Sequence, residues 1–148
     1  MGKKTNIAIL AVVAVLFVAQ FFRPSHVNPP SEPAVSFKAV ANPSPQARAV
    51  LDRACKDCHS NSTVWPWYSH VAPASWLVSS DVERARKQLN LSEWGKLSPE
   101  KRLQALGDIC REANSGDMPM WQYRLLHPSA RLQPADVTAL CLLSVKTQ

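Results

Sequence analysis

Apolar residues are distributed along this chain in two different ways. Ile7 to Ala19 is an unbroken apolar run preceded by Lys3 and Lys4, whereas beyond Ser44 the apolar positions recur at helical spacing. Ser44 and Pro45 form an N-cap and first-turn pair, and Val50, Leu51, Ala54 and Cys58 follow on one face. A second helix is expected from Ala74 to Leu89, where Val78, Val82, Ala85 and Leu89 repeat at four, three and four residues. Ser98 and Pro99 repeat the cap signature, Leu103, Leu106, Cys110 and Ala113 form the next stripe, and Gly116 provides the stop. The last helix begins near Pro134 and carries Val137, Leu140, Cys141 and Ser144 on one face. No stretch alternates with period two, so the expected fold class is all-α, without strands or repeats.

The apolar run changes the picture from fold to compartment. As a helix, Ile7 to Phe22 spans about 24 Å, slightly short of a hydrocarbon core of about 30 Å; Thr5, Asn6 and local thinning cover the difference. A cleaved signal peptide needs small residues at the first and third positions before the cut. Ala19 has Phe17 at the wrong place, and a cut after Ala14 leaves the apolar Val15 to Phe22 on the mature chain. Residues 1–23 are therefore expected to be a signal anchor, a single transmembrane helix. By the positive-inside rule its lysines stay cytoplasmic and the rest is exported. Residues 24–43, with Pro24, Pro29, Pro30, Pro33 and Pro43, are expected to form an extended tether in which His26 is solvated. Residues 44–148 then form the folded domain.

Composition agrees with this division. The chain has 148 residues, 46% hydrophobic and 19% charged, too apolar for disorder and long enough for one core. Lys3, Lys4, Arg23 and Glu32 precede Ala34, leaving 14 basic and 10 acidic residues, a net +4 of the formal +6. Arg84, Arg86 and Lys87 are offset by Asp81 and Glu83 at helical spacing, so no nucleic-acid-binding patch is expected. There is no base paired with a nucleophile and no phosphate loop; the chain is not expected to be an enzyme, and no small-molecule substrate is expected.

Chemistry concentrates at Cys55-Lys56-Asp57-Cys58-His59, the C-x-x-C-H pattern of c-type haem attachment. Residues three apart at a helix end face one side, so both thiols can add to the two haem vinyl groups while the adjacent imidazole reaches the iron. A redox disulfide lacks its βαβ context, and a zinc site lacks two further ligands at matched spacing. The sixth ligand is expected from later in the chain. Met118, in Gly116-Asp117-Met118-Pro119-Met120, is the leading candidate, because a soft thioether suits iron and Pro119 fixes the backbone beside it. Met120, His127 and His70 are the alternatives.

Several motifs beyond the cysteines carry a resemblance. From Cys55 on, the chain resembles the bacterial haem-binding domain family, a variant of class I cytochrome c. The match rests on Cys-x-x-Cys-His-Ser-Asn at Cys55 to Asn61, Trp65-Pro66-Trp67-Tyr68-Ser69 and Ala72-Pro73-Ala74-Ser75-Trp76. Gly116-Asp117-Met118-Pro119, Tyr123 and Leu126-His127-Pro128 complete it. It implies one covalent haem c on Cys55 and Cys58, His59 and Met118 as the axial metal ligands, and a cytochrome c-like helical domain. It also implies that the membrane is a bacterial inner membrane and the exported domain periplasmic, and it supplies neither redox partner nor reaction.

Trp65, Trp67, Tyr68 and Trp76 are expected to pack around the cofactor, and Arg48, Arg53 and Lys56 to lie near the attachment helix. Cys110 and Cys141, on the inward stripes of two helices in an oxidising compartment, are expected to form a disulfide closing about 30 residues and contributing about 3 kcal/mol. Single-electron transfer on the periplasmic face is the expected function. A haem-based redox or gas sensor, or an accessory haem domain of a membrane assembly, are the rivals.

Overall fold

The computed structural model describes residues 2–145, and among these every regular element is helical. The expected all-α class is what the structure shows. The apolar run forms α1 (Lys3–Ala19), extended by a 3-10 turn over Gln20–Phe22. It is long and apolar enough to cross a membrane, and none of it is buried. α2 (Phe37–Ala41) and α3 (Pro45–Ala54) follow, then α4 (Lys56–His59), α5 (Ala74–Gln88), α6 (Pro99–Ser115), α7 (Trp121–Leu126) and α8 (Pro134–Val145). The anticipated caps hold: Ser44 and Ser98 each accept a bond from a backbone N–H of the first turn. Gly116 stops α6 in the left-handed region, φ 78°, where glycine carries no steric cost.

The core lies where α3, α6 and α8 meet, with Val50, Leu51, Leu106, Leu140 and Leu143 interleaved. Cys110 of α6 and Cys141 of α8 stand at disulfide distance, Cα atoms 4.5 Å apart, so the pair spans the core's most extensive helix contact.

The segment from Arg23 to Pro45 differs from its expectation as a free extended spacer. Phe37 enters the core with 2% exposure and meets Trp94, also 2% exposed, edge to face at 4.6 Å. The turn over Pro33–Val35 lies so close to Gly95 that a Cβ there would sit 2.9 Å from Val35 Cβ. Extended, proline-rich backbone leaves its polar groups free, and here the domain uses them: Pro30 carbonyl accepts from Asn61 Nδ2 at 2.9 Å, and Asn28 donates to Thr63 carbonyl at 2.9 Å. His26, expected to be solvated, stacks on Trp65 at 4.3 Å and approaches His70 through Nδ1 at 3.3 Å. One buried phenylalanine, the Pro30 carbonyl and the Asn28 side chain convert a spacer by composition into a strap by packing.

Candidate functional site

α3 ends at Ala54 because Cys55 leaves helical geometry, φ −122° and ψ −37°. The chain restarts as the single turn of α4, with the N–H groups of Cys58 and His59 both donating to Cys55 carbonyl. This interruption turns Cys55, Cys58 and His59 onto one cavity of about 690 Å³, which α6, α8 and the segment after α6 close from the other side. Met118 and Met120 line that opposite wall. Leu51, Leu89, Ile109 and Leu140 supply the apolar surface between. The volume falls within the roughly 300–1,000 Å³ that cofactor sites occupy.

His59 is oriented by a contact the sequence did not announce. Its Nδ1 donates to Leu89 carbonyl at 3.0 Å, at the end of α5, which leaves Nε2 with its lone pair free. Burial lowers its pKa, so the ring is neutral near pH 7. Burial also pushes the Cys55 thiol up to about 12 and the Cys58 thiol to about 11. Both cysteines are unbonded and protonated at neutral pH. Among the described residues no group of three His, Cys, Asp or Glu side chains converges as a metal site.

The residues after His59 are held from several sides. Asn61 N–H donates to Ser92 Oγ at 3.0 Å, and Asn61 Oδ1 accepts from Asn90 at 2.7 Å. Arg86 donates to Ser60 carbonyl, Thr63 Oγ1 and Asn28 Oδ1, each at 2.8 Å. Arg86 thereby joins α5, the segment after α4 and the N-terminal strap. Asp57, between the cysteines, accepts from Val64 N–H at 3.2 Å and from Tyr123 hydroxyl at 3.0 Å. Tyr123 belongs to α7, so this bond fastens the cysteine wall to the segment that carries the methionines. Burial and the neighbouring Asp57 carboxylate raise the Tyr123 pKa, which keeps the phenol a donor.

The aromatic residues separate. Tyr68 bonds His127 Nε2 at 2.8 Å, and His127 stacks on Tyr123 at 4.2 Å. These three line a smaller apolar pocket of about 150 Å³ that shares Cys58, Met120 and Tyr123 with the main cavity. Trp65, Trp67 and Trp76 are not among the residues lining the main cavity: Trp65 lies against His26, Trp67 is 77% exposed, and Trp76 donates its Nε1 to Phe22 carbonyl at 2.9 Å. Indole size favours burial, but the backbone from Trp65 to Trp76 runs along the strap and the end of α1, and its side chains follow it. His70 is exposed on that side too.

Basic side chains at the cavity are paired with carboxylates, and Arg53 stands beside the attachment turn as expected. Arg53 pairs with Asp136 at 2.5 Å, and Arg84 and Arg111 are the basic residues on the cavity lining. Arg84 is paired with Asp81, and Arg111 with Asp108 at 2.7 Å and Glu112 at 3.1 Å. They stand exposed at the rim, where they can meet anionic substituents of a bound group.

Fold and site together define an all-helical protein with one largely apolar cavity that gathers two thiols, a neutral imidazole and two thioethers. A family model described as a haem-binding domain matches residues 14–143, and the chain belongs to that family. The match begins inside α1 and takes in the strap that packs on the core. No curated protein and no solved structure matches the chain.

Proposed function

We propose that this protein is a membrane-anchored monohaem cytochrome c that transfers single electrons on the periplasmic side of a bacterial inner membrane. The observation that carries the reading is the single cavity onto which Cys55, Cys58, His59 and Met118 all open. Its donor set fits haem: two protonated thiols, one imidazole nitrogen freed by the Leu89 bond, and a thioether across an apolar gap.

Bound haem supplies one-electron iron chemistry within a largely apolar shell. Cys55 and Cys58 would hold it covalently, each thiol adding its sulfur and its hydrogen across one vinyl group, an addition that needs no oxidant. His59 would hold the iron through Nε2, from a ring whose tautomer is set by Leu89 carbonyl. Met118 would hold it through its sulfur, and its N–H bond to Glu112 carbonyl at 3.2 Å places it against the end of α6. Iron held by two protein ligands would favour electron transfer over gas sensing or catalysis. Met120 lines the same wall and is the competing ligand. Residues 1–23 act as anchor and 44–148 as the cytochrome c-like domain, with 24–43 strapped to it.

The test is acid–acetone extraction of the full chain made in cells able to attach haem c, followed by mass measurement. A one-haem mass increase that survives extraction supports the reading; complete loss of haem from the wild-type chain refutes covalent attachment. Spectroelectrochemistry of the same protein should show one reversible one-electron couple and a reduced spectrum unchanged by carbon monoxide. Ready carbon monoxide binding would favour a sensor.

A further inference from the structure

We infer that the surface formed by Trp67, Val71, Trp76 and Leu77 lies in the headgroup layer of the membrane that α1 crosses, holding the cofactor domain directly on the lipid. This rests on the reading of α1 as a membrane span.

From Lys3 to Phe22 the chain is helical for 20 residues with mean hydropathy 2.3. Such a helix is about 30 Å long at 1.5 Å per residue, the thickness of a hydrocarbon core. Its last turn, Gln20–Phe22, therefore falls at the boundary between acyl chains and headgroups. That turn is bonded to the domain. Gln20 accepts at Oε1 from Ala72 N–H at 3.0 Å and donates through Nε2 to Ala72 carbonyl at 3.3 Å. Trp76 Nε1 donates to Phe22 carbonyl at 2.9 Å, and the Arg23 guanidinium donates to His70 carbonyl. An amide near hydrocarbon is costly without partners, and Gln20 finds both in one backbone unit. Ala72 must then lie beside the last turn of α1, at the depth of the interface, rather than above it.

The residues flanking Ala72 suit that depth. Trp67 is 77% exposed, Leu77 53%, Val71 45% and Trp76 42%. No Asp, Glu, Lys or Arg occurs from Val64 to Ser80. Exposed indoles beside a charge-free apolar stretch match the aromatic belt that membrane proteins place at headgroup level. A protein partner on this face would have to displace lipid that α1 itself holds against it. Lipid is therefore the occupant.

Full-length haem-loaded protein in phosphatidylethanolamine and phosphatidylglycerol nanodiscs tests this, with one phospholipid probe photoactivatable at the headgroup and another at mid-chain. The headgroup probe is expected to label residues 67–77 severalfold more than the exposed Leu103 of α6 and Leu142 of α8, while the mid-chain probe labels α1. Gln20→Ala should lower labelling of 67–77 severalfold and leave labelling of α1 unchanged. Labelling of α1 with 67–77 no higher than Leu103 and Leu142 would overturn the inference and leave the anchor intact. Absence of labelling on α1 would overturn the anchor and, with it, the inference.

Discussion

The two walls of the cavity are built differently. The cysteine and histidine wall is fixed by bonds to its neighbours on several sides: His59 to Leu89, Asn61 to Ser92 and Asn90, and Arg86 to Ser60 and Thr63. The methionine wall hangs between the end of α6 and α7. It is held by the Met118 N–H bond to Glu112 and by the bond from Tyr123 to Asp57. A wall bonded to α5, the Leu91–Lys96 turn and the strap keeps its shape through the whole domain. The methionine wall, tied further by Ser115 to Asp117 and by Tyr68 to His127 at the end of α7, depends more on each bond.

Five changes break or sharpen this contrast. The largest effect is expected from Cys55→Ala with Cys58→Ala, which should abolish haem that survives acid–acetone extraction; residual covalent haem on gels would mean another attachment point. Met118→Ala comes next. It should open the distal position and lower the potential by on the order of 0.1 V, inside the roughly 0.8 V range that axial ligands span. Met120→Ala should leave the spectrum and potential in place, and the reverse result would exchange the two residues' roles. Asn61→Ala removes bonds to Pro30 and Asn90 beside the histidine, and should cost about 1–3 kcal/mol in denaturant unfolding, as expected for buried groups left unpaired. Tyr123→Phe probes the methionine wall. Loss of one charge-assisted bond to Asp57 should cost about 1.5–3 kcal/mol at most and weaken Met118 ligation, read as a larger carbon monoxide-binding fraction. An unchanged fraction would show that the methionine wall does not depend on this strut.

Legibility from sequence follows the range of the interactions. The helix starts at Pro45 and Pro99 and the stop at Gly116 are local, set by a hydroxyl, a ring and a missing Cβ within a few residues, so spacing was enough to find them. The joint placement of Cys55, Cys58 and His59 was legible for the same reason. α2 and α7 were not, because five- and six-residue helices carry too little periodicity to stand out. The roles of Arg86, Leu89 and Tyr123 depend on partners 23 to 66 residues away. Tyr123 was at least visible as part of a recognised motif. Leu89 acts through its backbone carbonyl, which no side-chain pattern encodes.

The proline-rich segment shows the limit most plainly. Proline fixes φ and thereby extension, a local property that composition reports. Whether extended backbone projects into solvent or lies on a domain depends on whether a surface offers partners for its carbonyls and a pocket for its apolar residues. Trp94 and Gly95 offer the room, and Asn61 and Arg86 the partners. The sequence alone determined the helical class, the apolar first helix and the clustered cysteine and histidine chemistry, because each arises from residues close along the chain. Tertiary structure decided that the strap joins the core, that the tryptophans leave the cavity for the end of α1, and that Leu89 orients His59. Those outcomes depend on surfaces that exist only once distant segments have packed.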